Sequence, residues 1–249
     1  MPYQDDLARR MLLPALTASA SGYAVFAMVN GTTPLFPIDG RVHLAARDLI
    51  ASVVIGIIAG VAARVFAWML RRAKDIAATA PVLPTTLVAG AALGGMFALG
   101  RLLTGQSLLL GSGYGVVTWA AEPAHAIAVM LAILVLRCLA TATSVAGGGS
   151  GGIFIPLVVG GALIGSMIGG AVDRADLTLF IVIGVAAFLG GGYRVPLAAV
   201  MFVAETTGRP SFIVPGLLAA VAAELMMGAS SVTRYQVAPP LLPDEAVRP

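Results

Sequence analysis

The chain has 249 residues, of which 59% are hydrophobic and 11% charged, with a mean hydropathy of +0.96. Soluble domains carry about 25% charged residues, so this much apolar surface exceeds what one soluble core can use and places the chain in a membrane. The net charge of +3 is scattered with no basic stripe, which excludes a nucleic-acid surface, and one cysteine with two histidines excludes a disulfide framework and a zinc or di-iron site.

Apolar runs can be counted against the roughly 20 residues that a bilayer span requires. The first runs from about Met11 to Val29, after a charged flank of Asp5, Asp6, Arg9 and Arg10, where no cleavable signal peptide is expected. A polar loop with Asn30, Pro34, Pro37, Asp39, Arg41 and Asp48 follows. Leu49–Leu70 ends in Arg71, Arg72 and Lys74, two spans from Arg9 and Arg10. Both clusters can therefore face the cytoplasm, a rule that Arg41 and Arg47 weaken. Pro84–Leu99 is the third run, then a glycine-rich break over Gly105–Gly115 and a short helical piece near Val116. Ala124–Thr143 carries Arg137, and Ile155–Val172 is closed by Asp173, Arg174 and Asp176. Leu177–Leu189, Val195–Glu205 and Phe212–Met227 complete the set, the first two being too short for upright spans and separated by a break at Gly190-Gly191-Gly192-Tyr193-Arg194. A tail with Tyr235 and several prolines ends the chain.

Short apolar pieces that begin at glycine or proline breaks are the pattern of discontinuous helices around a mid-membrane site. The Gly56/Gly60, Gly90/Gly94 and Gly161/Gly165/Gly169 spacings are expected to let helices pack closely. The most informative stretch is Gly147–Pro156, a glycine loop that runs into a long apolar helix. It lacks the Lys-Ser/Thr of a nucleotide loop. What it offers is unscreened backbone N–H groups at a helix start, which attract an anion because they lack intrahelical partners and sit at the positive end of the helix dipole. Neutral donors suit a transported ion, which must be held and then released.

Gly152-Ile153-Phe154-Ile155-Pro156 resembles the GxFxP motif of the CLC family of chloride channels and chloride/proton exchangers. The likeness continues in order along the chain. Arg137–Gly152 is similar to the approach to that motif. Arg194-Val195-Pro196-Leu197-Ala198 with Glu205-Thr206-Thr207 is similar to the family's RAPL and glutamate-containing stretch. Gly111-Ser112-Gly113-Tyr114-Gly115 resembles a glycine break of the same half, and Tyr235 falls where the family carries its pore tyrosine. The resemblance implies an all-α polytopic subunit of inverted repeats, each protomer of a homodimer having its own pore. It implies an anion site at Gly152, Ile153, Phe154, Ile155 and Pro156, with the amides of Ile153 and Phe154 and the hydroxyl of Tyr235 as donors. The ion is substrate, and no cofactor or metal is implied.

Two further family anion motifs, GSGIP and G-K/R-E-G-P, do not occur, so the pore serine is not carried onto Ser112 and the gating glutamate has no counterpart. The expected division is the end of a first repeat over about 1–30, a second repeat over about 45–230 and a tail over about 231–249. Arg137 is expected to act structurally, by snorkelling or helix capping, the alternative being a source of positive potential near the path. Glu205 is expected at a helix end or dimer interface, and Glu224 beside an arginine or protonated. With no nucleophile–base pair, the chain is expected not to be an enzyme. Chloride transport across the inner membrane of a prokaryote, as a channel or exchanger, is the leading expectation. The alternatives are a non-conducting fragment that keeps its dimer-forming helices and an unrelated secondary anion transporter.

Overall fold

The computed structural model describes residues 5–32, 46–122, 125–172 and 177–233, with side chains from residue 12 onward. The Asp5–Arg10 side chains, the loop with Pro34, Pro37, Asp39 and Arg41, and the tail with Tyr235 lie outside the described side chains or residues. The described residues form nine α-helices, α1 (Asp5–Asn30), α2 (Ala46–Thr79), α3 (Val82–Thr104), α4 (Tyr114–Ala121), α5 (Ile127–Ala146), α6 (Phe154–Ala171), α7 (Thr178–Tyr193), α8 (Pro196–Thr207) and α9 (Ile213–Met227), with a 3-10 turn at Pro210–Phe212 before α9. Among the described residues, six helical segments are long and apolar enough to cross a membrane. Exposed Leu83, Leu87, Val88 and Leu102 on α3 and Val61, Val65 and Trp68 on α2 fit that setting, since lipid tolerates apolar faces that water would not. The chain is an all-α, multi-pass membrane protein.

The short helix α7 is the centre. Every residue from Leu179 to Gly192 is buried, as expected for a helix that is apolar all round. Helices α2, α6, α8 and α9 pack on it. Glycine sets how close they come. A Cβ at Gly161 would lie 2.6 Å from the Val185 Cα, and one at Gly184 would lie 2.9 Å from the Gly165 nitrogen, so α6 and α7 touch backbone to backbone. The α2–α9 contact repeats this at Gly56, where a Cβ would meet the Ala219 Cα at 2.9 Å, and at Gly60, where one would meet the Ala223 Cα at 2.8 Å. Small residues let two helices gain dispersion along their whole backbones where lipid provides no hydrophobic drive.

Two expectations are corrected. Gly190, Gly191 and Gly192 do not break the chain; α7 runs through them and ends at Arg194, whose φ of 60° is the left-handed helix stop. Those glycines serve close approach: Cβ atoms there would press the Pro196 Cα at 3.2 Å, the Ala223 Cβ at 3.0 Å and a Leu157 methyl at 2.8 Å. Gly90 and Gly94 on α3 do the reverse of what their spacing suggests. Both are exposed and a Cβ at either would meet nothing within 4 Å, so this small-residue row faces outward in the described chain.

Candidate anion-binding site

The site region begins where α5 ends. The amides of Gly147, Gly148 and Gly149 turn back onto the carbonyls of Thr143, Val145 and Ser144 at 2.9, 3.1 and 2.9 Å, with Gly148 at φ +86°. Three glycine N–H groups are therefore consumed in closing one helix. Ser150, Gly151 and Gly152 then carry the chain to Ile153, which sits before the first turn of α6 with φ −92° and ψ −8° and makes no side-chain cap. Most helices place Ser, Thr, Asp or Asn there to satisfy the first amides. Here the first inward bond is from Leu157 to the Ile153 carbonyl at 3.2 Å. The amides of Phe154 and Ile155 precede it, and Pro156 has none to offer, which gives a helix start with few donors and no competing side chain. Gly151, Gly152 and Phe154 are exposed, while Ile153, Ile155 and Pro156 are half-buried.

Neighbouring helices hold this start in place. Thr86 of α3 donates its hydroxyl to the Gly147 carbonyl at 3.0 Å, and a Cβ on Gly147 would meet the Ala89 methyl at 2.7 Å. Phe154 stands edge-on to Phe202 of α8, with ring centroids 4.9 Å apart and planes at 88°. Farther along α6, Ser166 donates to the Ala120 carbonyl at the end of α4 at 2.5 Å.

Tyr235 lies outside the described residues, so its hydroxyl has no position here, but the chain leading to it is anchored. Val232 donates its amide to the Gly192 carbonyl at 3.0 Å, and the Ser231 hydroxyl donates to the same oxygen at 3.3 Å. Gly192 is the residue that a Leu157 methyl of α6 approaches, so the segment ending at Thr233 is tied to the helix layer that carries the α6 start. Arg194 reinforces the tie: its Nη1 donates to the Gly228 carbonyl, and its Nη2 lies 3.7 Å from Glu224 Oε1. Glu224 thus has the arginine neighbour that the sequence left as one of two options. Glu205 sits exposed in the last turn of α8, a helix end as expected.

The role of Arg194 was not read from the sequence. Its signal is that a helix end in the left-handed conformation normally takes glycine, so a non-glycine at the break just ahead of Val195-Pro196 points to a task for its side chain. Arg137 is half-buried on α5, with Nε and Nη2 sealed from solvent and without a hydrogen-bond partner among the described residues. Ser112 lies between Gly111 and Gly113, at φ +77° and +92°, in the turn before α4. No group of three or more His, Cys, Asp or Glu that could hold a metal ion exists among the described residues.

A family model described as voltage gated chloride channel matches residues 2–228. The chain belongs to the voltage gated chloride channel family. Among relatives of this CLC chain are proteins named H(+)/Cl(-) exchange transporter ClcA. The one from Citrobacter koseri is 24% identical over 210 residues, covering 81% of this chain and 44% of the relative. That from Salmonella arizonae is 25% identical over the same length and shares. Two solved structures share the fold. A slow cyanobacterial Cl-/H+ antiporter matches with a TM-score of 0.71 and 21% identity, over 83% of this chain and 49% of its own. A CLC-type fluoride/proton antiporter matches with a TM-score of 0.75 and 20% identity, over 92% and 56%. The chain spans about half the length of the curated relatives it matches.

Proposed function

We propose that this chain carries chloride or a similar small anion across the inner membrane of a prokaryote, as a CLC-type channel or chloride/proton exchanger, each protomer of a homodimer having its own path. The observation that carries this reading is the start of α6: a glycine loop delivers uncapped Phe154 and Ile155 amides, beside that of Ile153, at the end of an apolar helix. A dehydrated halide in a membrane needs such donors, because an unpaired ion there is very costly. Gly152, Ile153, Phe154, Ile155 and Pro156 form the amide side of the site, and the Tyr235 hydroxyl is its second donor. The ion is cargo, and the reading calls for no cofactor, metal, nucleic acid or covalent chemistry. Residues of about 1–30 close a first repeat and those of about 45–230 form the second, with the tyrosine in the tail after it. Membership of the family sets aside an unrelated secondary anion transporter.

Ion flux tests this. Ile153→Pro removes one amide at a residue whose φ of −92° lies near the proline range, and Tyr235→Phe removes the hydroxyl. Each change lowers apparent chloride affinity about tenfold, the equivalent of one hydrogen bond to a charged group. Unchanged flux and selectivity in both variants would overturn the site. Wild-type chain with no flux above protein-free liposomes would favour the non-conducting fragment.

A further inference from the structure

Arg137 lies midway along the apolar helix α5 and is half-buried. Its Nε and Nη2 are buried without a hydrogen-bond partner, and no ion pair compensates it among the described residues. A guanidinium keeps its proton, so the charge cannot be relieved by neutralisation. A cation with two nitrogens buried and unpartnered is unfavourable, and charged groups within membranes mark ion pathways.

The head group also lies where positive ends already meet. A Cβ on Gly113, the residue before the first turn of α4, would stand 2.9 Å from Arg137 Nη2, 2.9 Å from a Val159 methyl and 3.0 Å from an Ile155 methyl. Ile155 and Val159 are one turn apart on a single face of α6, directly behind its amide start. The guanidinium therefore sits between the α4 start and the first two turns of α6. Both helix starts carry partial positive charge, so a cation placed among them is repelled unless an anion shares the region.

We infer that Arg137 is a positioning residue for the transported anion: a fixed charge that raises anion occupancy at the α6 start without itself being a ligand there. This rests on the transport reading above. At a separation of about 10 Å and an effective dielectric near 20, one unit charge changes anion occupancy by roughly tenfold.

The test is chloride-dependent flux through the reconstituted wild-type, Arg137→Gln and Arg137→Lys proteins, at low ionic strength and in about 0.3 M impermeant salt. Arg137→Gln is expected to raise the half-saturating chloride concentration about tenfold with little change in maximal flux. Arg137→Lys is expected to restore most of the affinity, and the impermeant salt to shrink the difference, as for any partly screened charge. Equal half-saturation for wild type and Arg137→Gln overturns the inference and leaves the transport reading intact. Loss of folding or of affinity in Arg137→Gln and Arg137→Lys alike assigns the residue to structure and also overturns it. A wild-type protein with no chloride-dependent flux sinks the transport reading, and this inference with it.

Discussion

Gly165→Ala is the sharpest test of how α6 is held against α7. A Cβ at Gly165 would lie 2.6 Å from the carbonyl carbon of Phe180 and 2.8 Å from the Ile181 Cα. Ordinary carbon contacts are about 3.5–4.0 Å, so α7 must retreat by about 1 Å at this point. Nothing can rotate aside, because the atoms met are backbone of a helix buried on every face. Overpacking of this kind costs about 3 kcal/mol, the upper end of the usual range, and alanine's better helix propensity returns about 1 kcal/mol, for a net loss of about 2 kcal/mol. Gly90→Ala is the matched control: that glycine is also helical, but its Cβ would meet nothing within 4 Å, so the change is neutral or stabilising by up to about 1 kcal/mol. Equilibrium unfolding in mixed detergent, titrated with a denaturing surfactant, measures both. If Gly165→Ala matched Gly90→Ala within about 0.5 kcal/mol, the backbone-to-backbone contact of α6 and α7 would be wrong.

Two more outcomes follow from bonds that cross between helices. Ser166→Ala removes the hydroxyl that bonds the buried Ala120 carbonyl at 2.5 Å and is expected to cost about 1–2 kcal/mol in the same assay, with Ser166→Thr less tolerable than its chemistry suggests because the site is fully buried. Arg194→Gly and Arg194→Ala both cut the tie to Gly228 and Glu224. Glycine suits the φ of 60° and is expected to cost about 1 kcal/mol less than alanine, while hydrogen exchange at the Val232 amide accelerates at least about tenfold in both. Unchanged exchange at Val232 in Arg194→Gly would show that the Gly192 carbonyl holds the tail without help from the arginine.

Much of the site was legible locally. The Gly147–Gly152 run has Ser150 as its one side chain able to cap a helix, and Pro156 fits near a helix start, so an apolar helix opening close to Ile155 followed from ten consecutive residues, and the structure starts it at Phe154. The partners of that start were not legible. Thr86 reaches Gly147 across 61 positions and Arg194 reaches Gly228 across 34, and no local pattern encodes such pairings. The glycine triplet at 190–192 shows the same limit. Identical residues read as a break from one strand of sequence, yet they are helix interior because α6, α8 and α9 need the space that side chains would fill.

The sequence by itself determined that this is an all-α membrane protein of the CLC type with a glycine-rich helix start, because the bilayer demands long apolar spans and a glycine loop stands out among them. Only the tertiary structure decided which glycines face a neighbour and which face outward, that α7 is the buried centre, and that Ser231 and Val232 are tied to Gly192. It also decided that Nε and Nη2 of Arg137 are buried without a partner among the described residues, beside Gly113. Each of these is a contact between residues far apart in the chain, set by how whole helices fit together, and the energy of such a fit has no expression in the periodicity of either helix alone.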